Sequence, residues 1–179
     1  MANLSTKVLV IGDLMIDHYL WGSANRISPE APVQVIDIDN ESSVLGGAGN
    51  VVNNLTALGC QVGVLSAIGM DDVGKELKNM LDNINATSYL ILQEDRKTSK
   101  KSRIIASNSQ VVRYDKESKD DILKNTEDDI LNQFKSIVKL YDIILLSDYG
   151  KGVLTSYLTL SIIKYANTKN KRVLVDPKG

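Results

Sequence analysis

An α/β fold, built on a doubly wound, mostly parallel sheet with a small β flap, is what this sequence predicts. Three observations carry that prediction. Short continuous runs of β-branched and leucine residues recur at 8–11, 143–146 and 173–175, as strands buried on both faces require. Stretches with helical period lie between the runs. Each run also meets a carboxylate at its end, Asp13, Asp148 or Asp176, where a solvated strand end tolerates charge.

Taken in order, the first helical stretch places Val51, Val52, Leu55 and Leu58 on one face, and Gly59 follows where a left-handed C-terminal cap belongs. Val73, Leu77, Met80, Leu81 and Ile84 form a second face, with Asp72 placed to cap its start. Ile130, Phe134, Ile137, Val138 and Tyr141 form a third. Leu158, Ile162, Tyr165 and Ala166 form a fourth, behind Thr155 as its cap. Strands alternating with helices in this way predict parallel pairing.

Two segments break the pattern. Residues 33–39 partly alternate, as a half-exposed strand does. Residues 98–115 read as two extended runs, 103–106 and 110–114, around the polar turn Ser107-Asn108-Ser109. Together they are expected to form a small antiparallel flap on the main sheet. The sequence stops at Asp176-Pro177-Lys178-Gly179, just past a strand expected to be central, so residues 1–179 read as the N-terminal part of one larger domain.

Composition narrows the function classes. Apolar residues make up 43% and charged ones 24%, the balance of an ordinary folded chain. A formal charge of −1 supplies no global attraction to nucleic acid or to an anionic membrane. The single cysteine, Cys60, excludes an internal disulfide and fits a reducing compartment. The N-terminal apolar run meets Asp13 too soon for a signal peptide or a span of ~20 residues. The expectation is a cytoplasmic, globular protein.

The strongest local signal is Gly46-Gly47-Ala48-Gly49-Asn50, directly before the first helix. Glycines let a ligand approach the backbone, a helix start offers free N–H donors, and Asn50 can both donate and accept. The alternative is a glycine turn with no ligand. A dinucleotide fingerprint fits worse, because Val52 stands where its third glycine belongs and residues 40–43 are polar. Residues 69–76 imitate a phosphate-binding loop, but Glu76 occupies the magnesium hydroxyl position and Asp71 and Asp72 would repel phosphate. That segment reads as a capped helix start.

Asp13 and Asp17 flank three apolar residues after the first strand, at the end of the sheet where ligands bind. A carboxylate there can accept from two sugar hydroxyls, or can simply cap a turn. Asp148 and Asp176 stand at equivalent strand ends, so the mouth of the site is expected to be acidic. Arg96, Lys97, Lys100, Lys101 and Arg103 cluster in the flap, with Arg113 across the hairpin. The cluster can serve a phosphate, or can guard a solvated edge strand. It lacks the interleaved aromatics of a nucleic-acid surface. His18 is the only histidine, and neither a zinc site nor a serine–histidine pair is expected.

These motifs resemble the ribokinase-like sugar kinases. The resemblance rests on residues 12–17, on Gly46 to Asn50 running through Leu58-Gly59, and on Ile68-Gly69-Met70-Asp71-Asp72-Val73-Gly74. Residues 26–33, 146–152 and 176–179, and the flap pattern from Lys101 to Asp115, are similar to heptose 7-phosphate kinases, the kinase half of a bifunctional bacterial enzyme. The resemblance implies transfer from ATP, with Mg2+, to the anomeric hydroxyl of D-glycero-β-D-manno-heptose 7-phosphate, for lipopolysaccharide core synthesis. It implies substrate contacts from Asp17, Gly46, Gly47 and Asn50, from Lys101, Arg103 and Arg113, and from Asp148 and Lys178. The half-apolar patterning of 33–39 and 103–114 leaves an apolar face that one thin layer cannot bury, so a homodimer through the flap is expected. The family's Gly-Ala-Gly-Asp segment, whose Asp is the base, does not occur in these residues, so no catalytic residue is expected here and most of the ATP site lies elsewhere. A kinase for another sugar phosphate and a catalytically silent sugar-phosphate-binding module remain the alternatives. A nicotinamide-dependent oxidoreductase is the reading that the missing third glycine disfavours.

Overall fold

The computed structural model describes residues 6–178. Its larger sheet has five parallel strands, β1 (Lys7–Gly12), β4 (Gln61–Gly69), β5 (Thr87–Gln93), β8 (Ile143–Ser147) and β9 (Arg172–Asp176), in the order β5-β4-β1-β8-β9. Successive side chains of a strand point to opposite faces, so β1 divides its apolar residues between two cores. Leu9 and Ile11 pack under α3 (Lys124–Ile137) and α4 (Ser156–Thr168), against Phe134, Ile130, Leu158 and Ile162. Val8 and Val10 pack on the other side under α1 (Ala48–Ala57) and α2 (Asp72–Asn83), against Val52, Leu77 and Leu81. Thr155 caps α4, its hydroxyl accepting from Leu158 N at 3.0 Å, as expected. The predicted doubly wound parallel sheet is therefore present.

The smaller sheet is a lid of four strands in the order β3-β2-β6-β7. β2 (Leu14–Ile27) and β3 (Gln34–Gly47) form a long antiparallel ribbon, and β6 (Ser99–Ala106) and β7 (Ser109–Lys116) form a hairpin. Ser107 and Asn108, both at positive φ (51° and 61°), make the tight turn between β6 and β7. The lid is mixed rather than antiparallel, because β6 runs parallel to β2. The lid reaches the core at the root of β2, where Leu14, Met15 and Ile16 are buried, and at the end of β3 through Leu45. Every residue of β7 is exposed.

Several expectations need correction. Residues 14–27, which carry no strand expectation, form β2, and the strand foreseen at 33–39 runs on to Gly47 through the polar residues 40–43. β5 carried no prediction. Asp71, not Asp72, caps α2: its carboxylate accepts from Gly74 N at 2.9 Å, and one residue later Asp72 already lies in the helix. Leu58 is exposed because α1 ends at Ala57, before the apolar face comes round again. Leu174 and Val175 are half exposed because β9 forms an edge of the described sheet.

The loop from 148 to 153, which joins β8 to α4, turns through Gly150 and Gly152, at φ 62° and 81°. A β-carbon at Gly152 would also lie 2.1 Å from the Asp120 carbonyl oxygen. Gly152→Ala is expected to cost about 1–3 kcal/mol from the backbone conformation alone, with the clash added. Denaturant titration of the two forms measures this, and equal midpoints would show that the loop does not hold this conformation.

Candidate functional site

Between the root of the lid and the start of α1 lies an open cleft of 390 Å³. Six of the residues singled out from the sequence line it: Asp17, Gly46, Gly47, Asn50, Lys101 and Arg103. Asp17 comes from β2, the glycines end β3, Asn50 stands in the first turn of α1, and the two cations come from β6. Register explains the meeting, because Asp17 is paired with Val44 on one side and with Lys101 on the other. Side chains two apart on a strand share a face, so Met15, Asp17 and Tyr19 line the cleft together, as do Lys101 and Arg103.

The charges are arranged in detail. Arg103 Nη1 donates to Asp17 Oδ1 at 2.7 Å, with both side chains about one-fifth exposed. The guanidinium carbon also stands 5.2 Å from the centre of the Tyr19 ring. A β-carbon at Gly46 would lie 2.3 Å from Asp17 Oδ2, so the carboxylate rests directly against that glycine. Gly47, at φ 55°, turns the chain into α1, and Ala48 N donates to the Asp13 carbonyl at 3.0 Å. No side chain caps α1, so beyond Ala48 its first-turn N–H groups have no side-chain capping partner beside the cleft. Burial lowers the pKa of the Lys101 ammonium, and the neighbouring charge of Lys151 adds to the effect.

Three of the nine residues expected to contact substrate do not line the cleft. Arg113 stands opposite Arg103 in register but gives two hydrogen bonds to Asp115, at 2.8 and 2.7 Å. Asp148 Oδ1 accepts from Gly150 N at 2.7 Å. Lys178 lies over Gly150, where a β-carbon would meet its Cδ at 2.7 Å. Asp13, weighed as a sugar acceptor, is buried, and its carboxylate is taken by the N–H groups of Tyr149, Lys151 and Val153 at 2.8, 3.1 and 3.1 Å. Sequence reasoning missed Met15, Tyr19, Val44, Leu45 and Tyr149 as lining residues. The alternation of Met15, Asp17 and Tyr19 was the available signal for the first two.

Other features can be ruled on. A serine–histidine pair does form: His18 Nδ1 is 3.1 Å from Ser102 Oγ, and His18 Nε2 is 3.2 Å from Glu41 Oε2. Strand pairing of β2 with β6, invisible in the sequence, brings the two together. Ser102 is buried and lines no cavity described here, so the trio reads as a structural contact. The imitation phosphate loop is indeed a turn, with Asp71 also accepting from Thr98 N at 3.1 Å. A second concavity of 370 Å³ between α2 and β5 is largely apolar, and its lysines, Lys75 and Lys78, are paired with Asp72 and Asp82. Among the described residues no group of three or more His, Cys, Asp or Glu is placed to hold a metal, and no helix is long and apolar enough to cross a membrane.

Comparison with known proteins follows the same lines. Residues 5–179 match the model of the pfkB family of carbohydrate kinases. The chain is 59% identical over 180 residues to the bifunctional protein HldE of Aliarcobacter butzleri, covering all of this chain and 38% of that protein. It is 56% identical over 174 residues to the bifunctional protein HldE of Campylobacter fetus, covering 97% of this chain and 38% of that one. The chain thus spans less than two-fifths of the curated relatives it matches. Among solved structures, phosphofructokinase-2 from Escherichia coli in complex with fructose-6-phosphate aligns with a TM-score of 0.70 at 16% identity, covering 98% of this chain and 55% of that one. A possible 1-phosphofructokinase from Thermotoga maritima aligns at 0.73 and 18% identity, with 96% and 54% covered. These two likenesses concern the fold, which is ribokinase-like. With its family model matched along almost all of its length, the chain belongs to the pfkB carbohydrate kinases.

Proposed function

We propose that the protein containing these residues transfers a phosphoryl group from ATP to a sugar phosphate, and that the sugar is D-glycero-β-D-manno-heptose 7-phosphate, accepting at its anomeric hydroxyl. The observation that carries the reading is the pairing of Asp17 with Arg103 at the floor of an open cleft, beside Lys101 and an uncapped helix start. A carboxylate there accepts from sugar hydroxyls, while the guanidinium, the ammonium and the helix N–H groups suit the anionic end of the same molecule. The heptose assignment draws on the similarity to the HldE proteins and implies a role in lipopolysaccharide core synthesis in the cytoplasm. A second reading, a kinase for another sugar phosphate such as a fructose phosphate, is favoured by the fold shared with phosphofructokinase-2.

Phosphoryl transfer needs a base at the attacking hydroxyl and fixed positive charge at the transferring group. Of the carboxylates near the cleft, Asp13 is taken up by three backbone N–H groups, whereas Asp17 gives one oxygen to Arg103 and Asp148 gives one to Gly150 N. On the resemblance to ribokinase-like kinases we assign the base to a Gly-Ala-Gly-Asp segment, which residues 1–179 do not contain. Magnesium with ATP would supply charge neutralisation, but the described residues offer no set of three carboxylates for it. The lid has a thin, exposed outer strand carrying Val111, Val112 and Tyr114, which favours a second copy of the lid as its cover.

Asp17→Ala in the full-length protein should lose roughly 1.5–3 kcal/mol of sugar interaction, about one to two decades in kcat/KM. Gly46→Ala should act in the same direction by displacing the carboxylate, and unchanged kinetics in both would remove Asp17 from the site. Residues 1–179 alone, in a coupled assay with ATP, magnesium and heptose 7-phosphate, should show no enzymatic turnover. Turnover near that of the full-length protein would place the base within these residues. Light scattering on the full-length protein is expected to give a dimer, and a strict monomer at high concentration would remove the lid interface.

A further inference from the structure

Outside the cleft, the lid and the main body meet through a buried ion pair. Glu117 follows β7 directly, where the chain leaves the lid, and Lys151 lies in the loop joining β8 to α4. Lys151 Nζ stands 2.8 Å from Glu117 Oε1, and the two side chains are only 12% and 4% exposed. Glu117 Oε2 is buried with no hydrogen-bond partner. Lys119 approaches the same Oε1 from solvent at 3.4 Å, a weaker contact. Burial alone would raise the pKa of Glu117, yet the ammonium of Lys151, assisted by Lys101, holds it below the ordinary carboxylate range. Removing one partner of such a pair strands the other charge in a poorly solvated place, whereas removing both does not.

Lys151 is itself immobilised at its backbone. Its N–H donates to Asp13 Oδ2 at 3.1 Å, and its carbonyl accepts from the buried guanidinium of Arg96, which also reaches the Asp120 carbonyl at 3.3 Å. A rigid loop thus presents an ammonium to the foot of the lid. Lys101, which lines the cleft from β6, is influenced by both members of the pair. The Lys151 charge lowers its pKa and the Glu117 charge raises it.

We propose that Glu117 and Lys151 are positioning residues that bolt the foot of the lid to the β8–α4 loop, and so set where Lys101 and Arg103 stand over the cleft. Neither residue lines the cleft, so the pair acts through the lid rather than by touching substrate. The kinetic consequence rests on the sugar-phosphate reading above, whereas the mechanical one does not. Three variants of the full-length protein test it: Glu117→Gln, Lys151→Met, and the two combined. Each single variant should raise KM for the sugar phosphate about tenfold, with kcat and KM for ATP changed less than about threefold, and the double variant should be milder than the product of the singles. Amide hydrogen exchange across β6 and β7, measured without ligand, should quicken in both single variants and return towards the native rate in the double. Strictly multiplicative effects, or native lid exchange in both single variants, would overturn the proposal. If the single variants do not fold, the double variant decides, since a folded double with native lid exchange supports the bolt and an unfolded one rejects it. Failure of the sugar-phosphate reading would be separately visible as a wild-type protein that turns over no sugar phosphate while its lid exchange still responds to the variants.

Discussion

The carboxylate of Asp13 is the contact on which the rest of the arrangement depends. Asp13 is the single residue between β1 and β2, so the chain passes there from the main sheet into the lid. Its side chain accepts from three N–H groups of the 149–153 loop, its own N–H donates to the Ser147 carbonyl, and its carbonyl accepts from Ala48 N at the start of α1. Hydrogen bonds to a charged acceptor are stronger than neutral ones, and a buried donor left unmade is costly, so three loop amides are held together by one group. Arg96 lies close enough to feel the Asp13 charge and binds the carbonyls of Lys151 and Asp120, closing the same loop from its other side.

With Asp13 consumed in this way, the carboxylate that faces the cleft is that of Asp17, four residues further along the chain. The alternation of a strand places Met15, Asp17 and Tyr19 on one face, and the pairing with β6 brings Lys101 and Arg103 beside them. Gly46 is required by the same geometry, since any side chain there would occupy the place of the Asp17 carboxylate. The cleft is therefore a consequence of strand register at the foot of the lid, and α1 adds its uncapped end because Gly47 can turn the chain at positive φ.

The central strands were legible in the sequence because burial on both faces demands continuous apolar runs, which residues 8–11 and 143–146 possess. The four helices were legible for the matching reason, a stripe repeating at helical period. The lid was only partly legible. Its strands have solvent on much of both faces, so polar residues such as those at 40–43 carry no period that marks a strand. That is why residues 14–27 carry no strand expectation and why the sequence does not place Tyr19 beside Asp17. The glycines, Asn50, Lys101 and Arg103 could be singled out because their chemistry is local. Tyr149 could not, since its place at the cleft depends on a loop held by Asp13 more than a hundred residues away in sequence.

The charged residues around the foot of the lid divide into two sets by solvent access. Asp13, Arg96, Glu117 and Lys151 are buried or nearly so and spend their charge on the backbone or on one another. Asp17, Lys101 and Arg103 stand at an open cleft, and the Asp17–Arg103 contact is a single hydrogen bond, so each group keeps further capacity to accept or donate. A ligand rich in hydroxyls and carrying an anion can use that remaining capacity without breaking the buried set. The buried set, in turn, holds the foot of the lid and the 149–153 loop, which carry the cleft residues. The desolvated charges around the open cleft find their partners in the backbone or in one another, so a ligand need not supply them.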